Sequence, residues 1–285
     1  MIVPRQGLLR LVAGGLLLAL LGGCAYLDVR QRELIFRPSK EYSSTPADYG
    51  LAYEDVWLPV AGATGRVHGW WMPAAEGNAP ALLYLHGARW SIGNNLFRIA
   101  RLREAGFSVL AIDYRGFGQS DGDLPSEAQT YEDARAAWNW LSAKEPDARR
   151  RLIFGHSLGA AVAIDLASRQ VAAAGLIVEA SFTSIPDMAS RSYWYLPAAV
   201  LTQRYASIDK IAAVKLPLLF MHGKADGVVP YQMSERLHAA ATSPKQLVLM
   251  EDAGHSNMSW KFSAEYLRAV RGFFAELGPG GPAGN

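Results

Sequence analysis

From residue 81 onward, short apolar runs alternate with longer stretches in which apolar residues recur every three or four positions. The runs at 81–85, 108–112, 152–154, 175–178, 216–220 and 246–250 have strand length and little polar interruption, as expected for strands buried on both faces. Between them, 94–104 reads as a helix stopped by Gly106. Ser126 opens a second helix, with Tyr131, Ala134, Trp138 and Leu141 at helical spacing. Residues 160–168 form a small-residue helix, and 263–277 a closing amphipathic one. Upstream, 55–59 and 66–72 alternate about Gly62 and Gly65 and predict an antiparallel pair. The pattern predicts an α/β fold, with a mostly parallel central sheet and helices on both faces. Ligands of such sheets bind beyond the carboxyl ends of the strands. His86-Gly87, Asp113, Ser157, Glu179 and Asp226 all fall there.

Composition narrows the function classes. Half of the 285 residues are apolar and 19% are charged, ordinary for a folded domain. A net charge of +2, from 28 basic and 26 acidic residues, gathers no polyanion, so nucleic acid is not an expected partner. The single cysteine makes no internal disulfide. No closely spaced Cys or His set predicts a structural zinc.

That cysteine stands in a distinctive place. Arg5 and Arg10 precede an apolar run at 11–21, about 11 residues, short of the ~20 that span a bilayer. The length suits the core of a signal peptide. The run ends Leu21-Gly22-Gly23-Cys24, which resembles a bacterial lipobox. The resemblance implies cleavage after residue 23, lipidation of Cys24 and a place in the bacterial cell envelope. Ala25 after the cysteine leans towards the periplasmic face of the outer membrane. The alternative is an uncleaved anchor helix with an incidental cysteine. Residues 24–52 then read as a tether and lead-in to a catalytic domain over 53–277. The Gly- and Pro-rich 278–285 reads as a disordered tail.

Gly155-His156-Ser157-Leu158-Gly159 joins the strand at 152–154 to the small-residue helix. This is the nucleophile-elbow pattern, in which glycines permit a tight turn that raises a serine at a helix N-terminus. A serine needs a base, and His255, after the last strand, is the best placed. The base needs a carboxylate. Asp226, after the penultimate strand, is preferred, and Glu179 is the alternative acid. Oxyanion donors would be the backbone amides of Leu158 and Ala88. Arg89 and Trp90 either shape the pocket or, for Arg89, pair with a surface acid.

Together, Leu85-His86-Gly87, the stretch 113–120 (DYRGFGQS), the elbow, His222-Gly223-x-x-Asp226 and Gly254-His255 resemble the α/β-hydrolase superfamily. Within it they are nearest the serine aminopeptidase (S33)-like and dipeptidyl-peptidase-related hydrolases. The resemblance spans about 53–275 and implies hydrolysis of an ester, thioester or amide through an acyl-enzyme, without cofactor. The 113–120 stretch reads as a structural turn with Arg115 paired to an acid. Only about 35 residues, 181–215, are left for a lid, so a small helical one is expected. Its cluster 191–197 (RSYWYLP) either walls an acyl pocket or packs into the core. The leading reading is an esterase acting on a small-molecule acyl substrate, with Ser157, His255 and Asp226 as its triad. The alternatives are a peptidase with the same triad, for which Glu179 and Asp187 are candidate amine-binding acids, and a non-catalytic lipid-anchored binding protein.

Overall fold

A computed structural model describes residues 5–75 and 77–278. Helix α1 (Arg5–Ile35) leads into a two-residue strand, β1 (Arg37–Pro38). The hairpin β2 (Glu54–Pro59) and β3 (Arg66–Met72) follows, then β4 (Ala81–Leu85) and the short β5 (Arg89–Trp90). Alternation then begins: α2 (Leu96–Glu104), β6 (Ser108–Asp113), α3 (Glu127–Lys144), β7 (Arg151–His156), α4 (Leu158–Ser168) and β8 (Gly175–Glu179). The short helices α5 (Ile185–Ser190) and α6 (Ser207–Lys210) precede β9 (Leu218–Gly223), α7 (Tyr231–Ala240) and β10 (Lys245–Met250). Helices α8 (Met258–Lys261) and α9 (Ser263–Leu277) close the chain.

Eight strands form one sheet in the order β10-β9-β8-β7-β4-β6-β3-β2. Strands β2 and β3 pair antiparallel, as do β3 and β6; every other pair is parallel. The apolar runs are continuous because the sheet is buried on both sides. In β4, Leu83 and Leu85 face the core beneath α3 and α4, while Leu82 and Tyr84 face the core beneath α2 and α9. The same division splits β8 (Leu176 and Val178 against Ile177) and β9 (Leu218 and Phe220 against Leu219 and Met221). Each such side chain contributes roughly 1.5–3 kcal/mol by leaving water, so the register of the central strands is strongly fixed.

The segment expected as a tether at 24–52 is packed instead. Helix α1 continues unbroken to Ile35, Phe36 is buried, and the Arg37 amide donates to the Ala88 carbonyl at 3.0 Å. Tyr42 then reaches Asp113, its hydroxyl 2.7 Å from Oδ2. Phe36 enters the apolar core, while on α1 the docking is polar, with Asp28, Gln31 and Arg32 finding partners beyond the helix. Among the described residues, no helix is long and apolar enough to cross a membrane. The expected disordered tail falls on residues that, apart from Gly278, lie outside those described.

The lid region holds α5, α6 and two 3-10 turns, as its length predicts. Its aromatic cluster does not pack into the core: Tyr193, Trp194 and Tyr195 are exposed. Arg89 and Trp90 are exposed too. They form a parallel bridge with Arg37 and Pro38 that ties the N-terminal segment beside the loop after β4, a role neither expectation contained.

Candidate active site

Ser157 sits where β7 turns into α4, with φ 55° and ψ −121°. A non-glycine residue with positive φ is strained and persists only when its surroundings over-determine it. Here the surroundings do so. A methyl group at Gly155 would collide with the backbone of Gly159 and Ala160. One at Gly159 would strike the carbonyl oxygens of Leu85 and His86. The Ser157 amide donates to the Glu179 carbonyl at 2.8 Å. The small residues of α4, nearly all fully buried, let the helix start this close to the sheet.

Three sequence-predicted residues come together. His255, in the loop after β10, has Nε2 3.0 Å from Ser157 Oγ. Its Nδ1 lies 2.7 Å from Asp226 Oδ2. Asp226, in the loop after β9, is held on all sides: Oδ1 accepts from the amides of Val228 and Val229, both at 2.8 Å. Burial opposes its ionisation, but hydrogen bonds from His222 and His255 hold its carboxyl well below the usual carboxylate range. An ionised Asp226 accepts from Nδ1–H, which leaves Nε2 of neutral His255 free to accept the serine proton.

Glu179 is not part of this chain. Its Oε1 accepts from Arg98 Nε at 2.9 Å and its Oε2 from the Tyr266 hydroxyl at 3.1 Å, with both members of the ion pair fully buried. Burial works against the Arg98 charge, and Glu179, Tyr84 and Tyr266 together more than offset it, raising the guanidinium above its ordinary value.

The expected oxyanion donors lie on either side of the serine. A methyl at Gly87 would come within 3.4 Å of Ser157 Cβ, so the turn carrying Ala88 lies against the nucleophile. The Ala88 carbonyl accepts from Arg37, while its amide has no acceptor among the described residues. Leu158 is the first residue of α4, where a backbone N–H has no intrahelical partner.

Two histidines escaped the sequence reading. His222, at the end of β9, has Nε2 3.0 Å from Asp226 Oδ2 and Nδ1 2.6 Å from Ser234 Oγ, so it braces the acid from below. The signal was there, a histidine four residues before the aspartate, but Gly223 made it look like a strand terminus. His156, inside the elbow, has Nε2 3.0 Å from the His255 carbonyl and holds the loop that carries the base. Burial keeps it neutral, far below its ordinary range.

The 113–120 stretch is the expected structural turn. Arg115 pairs with Asp133 and Glu132, each at 2.6 Å. Asp113 also does more. It is fully buried, accepts from the Ile92 amide at 2.8 Å, and lies 3.5 Å from His86 Nε2. Burial pushes its carboxyl up to about 7 and the His86 imidazole down to about 4. The Tyr42 hydroxyl, which donates to Asp113, also lies 2.9 Å from His68 Nδ1, and His68 Nε2 lies 2.7 Å from Asp55 Oδ1.

Comparison with known proteins places the chain. A family model described as serine aminopeptidase, S33, matches residues 78–208. An uncharacterized Mycobacterium tuberculosis protein is 35% identical over 277 residues, covering 96% of this chain and 95% of its own. The Arabidopsis thaliana α/β-hydrolase domain-containing protein WAV2 is 31% identical over 277 residues, 88% of each chain. Among solved structures, the Pyrococcus furiosus esterase Pf2001 superposes with a TM-score of 0.71 at 21% identity, over 84% of this chain and 98% of the esterase, which speaks to the fold. The chain belongs to the α/β-hydrolase superfamily.

Proposed function

We propose that the protein is a serine hydrolase cleaving a carboxylic ester or thioester through an acyl-enzyme, with Ser157, His255 and Asp226 as its triad. The observation that carries this reading is the continuous relay from Ser157 Oγ through His255 to an Asp226 fixed by four donors. In this mechanism His255 Nε2 takes the Ser157 proton as Oγ attacks the carbonyl carbon. The amides of Ala88 and Leu158 hold the oxyanion, and Asp226 stabilises the imidazolium. His255 then protonates the leaving alkoxide or thiolate. A water deprotonated by His255 releases the acid and restores Ser157. A fluorophosphonate probe tests this: wild type should label and Ser157→Ala should not. Equal labelling of both, or of neither, overturns it.

The family model's description favours a second reading, a peptidase using the same triad. An aminopeptidase must offer a free carboxylate to the substrate amine. Glu179 is fully engaged by Arg98 and Tyr266, and Asp187 lies against Thr183 and Arg236, at 2.5 and 3.2 Å. These engagements favour the ester. Turnover of p-nitrophenyl esters against aminoacyl anilides separates the two.

By location, we further propose that cleavage before Cys24 and lipidation of its sulfur anchor the enzyme in the bacterial cell envelope, on the periplasmic face of the outer membrane. Support comes from the Leu21-Gly22-Gly23-Cys24 pattern and the exposure of Cys24. Mass spectrometry of the mature N-terminus tests it, and an intact Met1 overturns it.

A further inference from the structure

The anchor end and the lid are one unit. Positions 24, 28 and 31 of α1 stand at i, i+4 and i+7 and share a helix face. Asp28 Oδ1 on that face accepts from Thr202 Oγ1 at 2.8 Å and from Gln203 Nε2 at 2.9 Å. Gln31 donates to the Val200 carbonyl and accepts from the Thr202 amide, both at 2.8 Å. Arg32 Nε, one residue on, donates to the Pro125 carbonyl at 2.7 Å. Helix α1 is therefore fastened to the middle of the lid, at residues 200–203, through the half-buried Asp28 and Gln31. Cys24 lies one turn, about 6 Å of helix rise, from Asp28.

The lid segment just before these contacts is the most exposed aromatic cluster among the described residues. Trp194 is 82% exposed, Tyr195 66% and Tyr193 50%. Tyr26 and Leu27 on α1 are exposed as well, as are Leu196 and Val200 on the lid segment itself. Exposed arginines, Arg191 and Arg204, flank it. A contiguous exposed apolar surface with a polar rim marks an interaction site. Tyr and Trp beside Arg are the side chains that settle at a membrane–water interface, rings at headgroup level and cations on the phosphates.

We infer that the lid cluster Tyr193–Trp194–Tyr195 is a bilayer-docking surface, seated on the membrane by α1, and that the active site draws its substrate from the lipid phase. This rests on the anchoring role proposed for Cys24, and it deepens the hydrolase reading by naming a substrate class: acyl esters of amphiphilic lipids. The lid root reaches the site directly. Ser181 lies against Ser234, which is bonded to His222, which in turn is bonded to Asp226. The occupant is a bilayer rather than a second copy of the chain, because α1, which after cleavage before Cys24 would start at the lipidated residue, is fastened to residues 200–203, just after this cluster.

The test uses the full chain, processed in bacteria, purified in detergent and reconstituted into phosphatidylcholine–phosphatidylglycerol vesicles. Trp194→Cys and, as a distant reference, Asn78→Cys before β4 carry a maleimide-linked environment-sensitive fluorophore. Emission at position 194 should rise at least twofold on reconstitution and be quenched by spin-labelled lipids, with neither change at 78. A vesicle-bound protein whose 194 probe stays open to aqueous iodide overturns the proposal. So does a probe shielded to the same degree without vesicles, rising with protein concentration, which reports self-association. Wild type reports the anchor separately: its only thiol is Cys24, so uptake of the maleimide there means that the sulfur is free and the lipidation reading fails. Fluorophosphonate labelling of the same samples reports the hydrolase reading independently of both.

Discussion

Replacing Asp226 by Asn, beside Glu179 by Gln, separates the two acids that the sequence offered. In wild type, Asp226 Oδ2 accepts from two imidazoles, His255 Nδ1 at 2.7 Å and His222 Nε2 at 3.0 Å. Oδ1 is already taken by the amides of Val228 and Val229, so it is the oxygen that Asn keeps. The new NH₂ group then faces both imidazoles, which must present lone pairs to it. For His255 this moves the proton to Nε2, the atom that should accept from Ser157. The serine loses its base without losing the site's shape. Removing the correct tautomer in this way lowers kcat by about 10⁴, about 5 kcal/mol at 1.36 kcal/mol per decade. Glu179→Gln does the opposite. It leaves Arg98 buried without a counter-charge, costing about 3–5 kcal/mol of stability, while every contact of Asp226 and His255 remains. Its kcat per folded molecule should stay within about threefold, since no hydrogen bond of the relay is altered. The assay is p-nitrophenyl ester turnover below the melting midpoint, with urea unfolding on the same preparations. The reasoning is refuted if Asp226→Asn keeps kcat within tenfold of wild type. It is equally refuted if Glu179→Gln, still folded, loses turnover as deeply as Asp226→Asn.

Three further outcomes follow from the same geometry. His156→Ala removes the hydrogen bond to the His255 carbonyl; a loss of about 1.5 kcal/mol should lower kcat roughly tenfold with KM for a short soluble ester unchanged, and steady-state kinetics that move only KM would contradict it. Burial lifts the Asp113 carboxyl to about 7, against about 3.9 when unfolded, so between those values the folded chain holds a proton the unfolded chain has released. Its contribution to stability is full below about pH 4 and falls by about 1.4 kcal/mol per unit as pH rises towards 7. His68, His86 and His156, all lowered by burial, act in the opposite sense. The difference between wild type and Asp113→Asn cancels them, and from pH 5 to 7 the variant should gain about 2–3 kcal/mol on wild type in urea unfolding; a flat difference sinks the argument. Gly159→Ala drives a methyl into the Leu85 and His86 carbonyls and should cost about 3 kcal/mol or more, read as a lowered Tm; a native Tm would mean that the elbow can relax.

What was legible in the sequence depended on which force fixed each part. The central strands β4, β6, β7, β8 and β9 were readable because both of their faces are dry, so a strand such as β4 has no polar position to blur its ends. The elbow was readable because two backbones touch there and only glycine fits. Helix α1 beyond residue 24 was misread as a tether because its docking is polar: Asp28 and Gln31 look the same in a solvated linker as in side chains fastened to a lid about 170 residues away, and so does Arg32, bonded to the Pro125 carbonyl. His222 and His156 were missed for a related reason. Each acts through one hydrogen bond to another site residue, across 4 residues in one case and 99 in the other. No periodicity records such a pairing.

The rival acid has a structural place beside the elbow. Ser157 is strained, and its amide is tied to the carbonyl of Glu179, the last residue of β8. The Glu179 side chain is in turn locked by Arg98 on α2 and Tyr266 on α9, the two helices that cover that face of the sheet. A buried ion pair is a poor source of stability, since desolvation of the two charges consumes most of their attraction. Its effect here is positional. It ties the end of β8 to α2 and α9, on the strand whose last carbonyl accepts from the Ser157 amide. In the proposed mechanism Asp226 sets which nitrogen of His255 accepts the proton, whereas the Glu179 side chain braces β8 against α2 and α9, so its loss is expected in stability rather than in turnover. On this reading the two carboxylates divide the work, one bonded to the proposed base and the other holding the fold around the elbow, and only the first carries charge into the chemistry.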